Sequence, residues 1–115
     1  MINKDRKRER YLRDPLPLRL AGLAADLARI ASSARHETGS QSVADMLEES
    51  QYFIEWTAGE ASPDIAAELV DLQRFIGLWR RAWPQAQHEL SQRTLLSIQA
   101  KKWSDQVLIY SGVID

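Results

Sequence analysis

A chain of 115 residues supplies one ordinary domain and one hydrophobic core. Apolar residues make up 44% and charged residues 27% of it, which excludes a disordered chain, and no run of 18 apolar residues exists to span a membrane. The absence of cysteine excludes a disulfide framework, a thiolate metal site and a thiol nucleophile.

The net charge of −1 is a sum of unequal blocks. Residues 1–13 carry six Lys/Arg against Asp5 and Glu9, a balance of +4. They read as a basic N-terminal arm preceding one helical domain over 14–115. The start, Met1-Ile2-Asn3-Lys4, lacks the apolar stretch of a signal peptide, so a cytoplasmic location is expected. From Glu37 to Asp71 there are nine acidic residues and no Lys or Arg, and residues 72–115 return a balance of +3.

The first predicted helix runs from about Asp14 to Arg35. Leu16, Leu20, Leu23, Leu27 and Ile30 follow at steps of 4, 3, 4 and 3, one stripe of a helix. Asp14 suits its cap and Pro15 its first turn, and Gly39 is read as its terminator. The small residues Ala21, Gly22, Ala24, Ala25, Ala28 and Ala31 predict a close approach by another helix.

A second helix is predicted from Ser40 or Ser42 to Thr57, closed by a left-handed Gly59, with Val43, Met46, Leu47, Phe53, Ile54 and Trp56 across a wide apolar face. Ser62-Pro63-Asp64 then combines a cap, a first-turn proline and a carboxylate favoured by the helix dipole. The third stripe follows as Ile65, Leu69, Leu72, Ile76, Trp79 and Trp83, ended or kinked by Pro84. A fourth, Leu96, Ala100, Trp103, Val107 and Tyr110, starts near Ser91 and runs to Gly112. A repeat near 3.5 with short connections predicts an all-α fold, an antiparallel up-down-up-down four-helix bundle.

That topology gathers His36-Glu37 and His88-Glu89 with Arg81 at one end of the bundle. Imidazole, carboxylate and guanidinium together suggest an anion or metal site as an alternative function. No pair has the i, i+3 or i+4 spacing that projects two ligands from one turn, so no metal is assigned. Arg81 and His88, with six residues between them, also resemble the arginine–histidine pattern of the HEPN class of helical RNA-cleaving domains; Arg29 and His36 match it equally. No phosphate loop, nucleophile elbow or zinc-protease motif is present, so neither catalytic residue nor cofactor is assigned and the chain is expected not to be an enzyme. The basic arm lacks interleaved aromatics, and nucleic acid is not the expected partner.

Trp79, Trp83 and Trp103 lie on core stripes, whereas Tyr52 and Trp56 reach toward the surface and mark a candidate interface. The main expectation is therefore a protein–protein interaction module, binding a protein partner or forming a homodimer.

The segments Tyr11-Leu12-Arg13-Asp14-Pro15-Leu16-Pro17-Leu18-Arg19-Leu20, Glu48-Glu49-Ser50-Gln51-Tyr52-Phe53-Ile54-Glu55-Trp56-Thr57-Ala58 and Ala66-Ala67-Glu68-Leu69-Val70 resemble a family of small cyanobacterial helical proteins of unassigned activity. The resemblance spans much of residues 11–72. It implies a cyanobacterial cytoplasmic protein and carries no catalytic residue.

Overall fold

A computed structural model describes residues 3–112 as all-helical, with no strand among them. Five α-helices, α1 (Lys4–Leu12), α2 (Leu16–Ser33), α3 (Ser40–Thr57), α4 (Pro63–Ala86) and α5 (Leu90–Ser111), are joined by short turns. Two of the connections contain single 3₁₀ turns, Glu37–Gly39 and Ala58–Glu60. The radius of gyration is 13.6 Å, as expected for a chain of this length packed around one core.

The apolar stripes become that core. Leu20, Leu23, Leu27 and Ile30 of α2 pack with Val43, Leu47 and Ile54 of α3, Leu69 and Ile76 of α4, and Leu96, Ala100 and Val107 of α5. Cross-helix hydrogen bonds fix the directions. Ser104 Oγ of α5 donates to the Ala24 carbonyl (2.7 Å), and Ser97 Oγ donates to that of Ala31 (2.6 Å), so α5 runs antiparallel to α2. Between α3 and α4, Gln51 and Gln73 each donate to the other's backbone carbonyl at 3.2 Å. Nearer the helix ends, Trp83 Nε1 donates to the Ser40 carbonyl at 2.9 Å, again the antiparallel sense. The predicted close approach to the alanines of α2 is made by α5, where Ser97, Ala100 and Ser104 are all buried. α2 is the central element, flanked by α3 and α5, whereas α4 and α5 touch each other least among consecutive long helices.

Residues 4–12, read from sequence as part of an arm, are a helix. Asn3 Oδ1 accepts from the Arg6 amide at 3.2 Å and caps it. Its one buried side chain, Tyr11, stacks on Phe53 of α3 with ring centroids 4.0 Å apart, and Lys7 pairs with Glu49 at 2.8 Å. The basic segment thus lies on the acidic helix of its own chain.

Local punctuation differs from expectation at five places, one of them Ser62, which stands at the N-cap of α4 without a side-chain cap bond. Asp14 does not cap α2; its carbonyl instead accepts from Arg19 Nε at 3.0 Å. Gly39 does not act as a left-handed terminator. It sits at φ −88° in the 3₁₀ turn, where a Cβ would lie 2.5 Å from the Ser33 carbonyl oxygen, so close approach is what demands glycine. Gly59 continues into the second 3₁₀ turn, and among the described residues only Gly112, ending α5 at φ 72°, is left-handed. Finally, α4 passes through Pro84 to Ala86. Pro84 is itself exposed in the last turn, where it removes a single donor, the one that would have bonded the carbonyl of Arg80, also an exposed residue.

Candidate interaction surface

Two buried polar groups come first, because buried charge often marks a site. Arg19, 5% exposed, donates through Nη1 and Nη2 to both oxygens of Glu60 (2.6 and 2.9 Å). Tyr11 Oη donates to the Arg19 carbonyl (2.8 Å) and accepts from Thr57 Oγ1 (3.1 Å). The bidentate pair holds Glu60 below the usual carboxylate range, and burial pushes the Tyr11 phenol up to about 12. Every polar atom of this cluster finds a partner, and the cluster ties α1, α2 and the turn after α3 together.

Asp26 of α2 is different. It is 2% exposed and pairs with Arg29 through Oδ1, while Oδ2 has no partner. Burial, reinforced by Glu49 and opposed by Arg29 and Lys7, pushes its carboxyl up to about 6. Buried to this degree, Asp26 is out of reach of a reactant, and its effect falls on stability. Sequence periodicity misses both groups because Arg19 and Asp26 sit between apolar positions of a helix already accounted for. Arg19 is recognisable only through Glu60, 41 residues away.

The residues singled out from sequence lie on α3 (Tyr52, Trp56), on α4 (Arg81) and in the two turns that carry His36 and His88. Tyr52 and Trp56 stack on each other at 5.6 Å, but α1 crosses them: Lys4 Nζ lies 5.2 Å from the Tyr52 ring centroid and Tyr11 lies 6.0 Å from Trp56. Their faces thus serve the docking of α1. His88 Nδ1 lies 3.6 Å from Glu37 Oε1, so the two polar turns do meet, but both side chains are more than half exposed. Arg81 forms no hydrogen bond or ion pair with His36 or His88. Among the described residues, no group of three or more His, Asp or Glu side chains is placed to hold a metal ion.

The most distinctive surface lies where α4 and α5 run side by side. Trp79 Nε1 donates to Gln99 Oε1 at 2.8 Å and fixes their relative level. Along this seam Leu69, Leu72, Phe75, Trp103, Val107 and Tyr110 line a cleft of about 80 Å³. Leu78 and Ile98 each precede one residue of the bonded pair. Because the helices are antiparallel, one step back along each turns both side chains to the same outer side of the seam. Phe75 and Leu95 flank them there, all four being 42–58% exposed. Scattered surface leucines are ordinary, but several large apolar side chains gathered on one two-helix face are the mark of an interface. Around them stand Asp71, Arg74, Arg81 and Lys102, all exposed. The sequence signal for this face is the set of apolar residues in α4 and α5 left over after the core stripes are removed.

No helix among the described residues is long and apolar enough to cross a membrane. No protein-family model, curated protein or solved structure matches this chain.

Proposed function

We propose that this protein is a non-enzymatic protein–protein interaction module, acting in the cytoplasm, in which α2–α5 form a four-helix-bundle scaffold and the outer α4–α5 face is the binding surface. The reading is carried by one observation: Phe75, Leu78, Leu95 and Ile98 are large, apolar, exposed and on the same side of one seam. Fully burying a leucine-sized side chain contributes about 1.5–3 kcal/mol, so covering these four half-exposed groups contributes roughly 3–6 kcal/mol toward offsetting the losses of association. The charged rim adds selectivity. The fully satisfied Arg19 cluster and the inaccessible Asp26 favour structural roles over catalytic ones.

A photo-crosslinking amino acid placed at Leu78 or Ile98, with Glu55 on exposed α3 surface as control, tests this in living cells. Adducts at the two seam positions and none at Glu55 are expected. Equal labelling at all three, or none at the seam, would refute it.

A further inference from the structure

The outer stripe of α4 has a symmetry that goes beyond exposed apolar surface. Asp64, Ala67, Asp71, Arg74, Leu78 and Arg81 follow one another at steps of 3, 4, 3, 4 and 3, and all six are exposed. They lie on the face of α4 turned away from the core, the face to which Leu69, Leu72, Ile76 and Trp83 do not contribute. Read forward, the stripe is acid, small apolar, acid, base, large apolar, base. Reversed and laid against itself, it pairs Asp64 with Arg81, Ala67 with Leu78 and Asp71 with Arg74.

That reversal is what a two-fold axis perpendicular to two antiparallel helices performs. The 3-4 spacing is the one that lets facing stripes interdigitate at a shallow crossing angle. Each half of the stripe therefore meets its electrostatic and steric complement on an identical chain: acid on base, and the large Leu78 beside the small Ala67. A parallel alignment would instead put acid on acid and base on base along its whole length.

The existing contacts of these residues leave this pairing open. Arg74 and Asp71 approach each other at 3.6 Å within the helix, but their side chains are 75% and 60% exposed, a pair of little strength. Arg81 has no ion pair among the described residues, whereas its neighbour Arg80, on the α3 side, is engaged by Gln51 at 2.6 Å and Glu48 at 3.7 Å. The charge that is free to reach outward is thus the charge on the outer stripe.

We infer that the partner of the α4–α5 face is a second copy of this chain, docked through antiparallel α4–α4 pairing centred between Leu72 and Gln73, with Asp64 and Asp71 of each copy on Arg81 and Arg74 of the other. The same two-fold stacks the α4–α5 face on its copy and covers Leu78 and Phe75. This rests on the interaction-surface reading and adds to it the partner, the direction and the register.

Charge exchange tests it. The double variant Asp64→Arg/Asp71→Arg makes the stripe all basic, and Arg74→Asp/Arg81→Asp makes it all acidic. Sedimentation of wild type should show a concentration-dependent dimer. Each variant alone should be a folded monomer by circular dichroism, its dimer dissociation constant raised by at least about tenfold. A one-to-one mixture should dimerise again, because every crossed pair is then acid on base. Rescue by mixing excludes misfolding as the cause of the loss. A monomeric wild type, variants that dimerise like wild type, or a mixture that stays monomeric would overturn the inference. Photo-adducts at Leu78 with a protein other than this chain would overturn the second copy while leaving the interaction surface intact; absence of seam adducts would remove both.

Discussion

Asp26→Asn should stabilise this protein near neutral pH, although it alters a paired residue in the core. In the unfolded chain the carboxyl titrates near its ordinary 3.8, but in the fold it titrates near 6. Between those values the folded state keeps a proton that the unfolded state has lost, so stability falls as pH rises from about 4 to about 6 and is level beyond. A rise of roughly two units corresponds to about 3 kcal/mol. Asparagine retains the Oδ1 acceptor for Arg29, and it replaces an unpartnered oxygen by an unpartnered amide, so the chief difference between the two proteins is the charge. Urea unfolding of both proteins from pH 4 to pH 8 is the assay. The variant's advantage should be near zero at pH 4, grow through pH 6 and level off at about 3 kcal/mol. An advantage that does not change with pH, or a variant less stable than wild type at pH 7, would refute the account of Asp26 as a carboxylate held in the core at a penalty.

Gly39→Ala forces a Cβ against the Ser33 carbonyl oxygen and should lower stability by about 1–3 kcal/mol in the same assay, whereas Gly59→Ala, with open space and no left-handed backbone, should be close to neutral. Arg19→Lys keeps the charge but loses the bidentate grip on Glu60 and the bond to Asp14, and should lower the urea midpoint at pH 7. Because Glu60 is held below its ordinary range, the stabilisation from that pair is present above the ordinary carboxylate value and lost as pH falls through the lowered one; the difference between wild type and Glu60→Gln should vanish in strong acid. Tyr11→Phe should lower thermal stability by the equivalent of about 1 kcal/mol, and Tyr11→Ala by about 3–4, since alanine also abandons the stack on Phe53.

The long helices were legible because each buries one stripe, and a stripe is a local property. Leu20, Leu23, Leu27 and Ile30 would line one side of a helix whatever they packed against. The features that sequence concealed depend on residues far away. Lys4–Leu12 has little apolar periodicity, and it reads as a charged tail until Tyr11 is placed on Phe53 and Lys7 on Glu49. Gly39 and Gly59 look alike in sequence as helix terminators, yet one is required by the backbone of Ser33 and the other by nothing within 4 Å. Tyr52 and Trp56 stand out in sequence as surface aromatics, and their neighbours Lys4 and Tyr11 come from a segment that reads as lying outside the domain. Arg81 stands out in sequence for its spacing to His88, whereas its place on the exposed outer stripe of α4 emerges only once the buried face of that helix is known.

The serine bonds between α5 and α2 also bear on how the chain is made. Ser104 reaches back 80 residues to Ala24, and Ser97 reaches back 66 to Ala31. The central helix α2 is synthesised before α5, the helix that closes its alanine-rich side. A nascent chain that has reached only α4 therefore carries Leu20, Leu23 and Leu27 with one flank bare. Such a chain exposes the kind of surface that chaperones hold and that aggregates without them. Completion of this core waits for α5 to emerge from the ribosome, and a chain cut short of Ser97 should be insoluble.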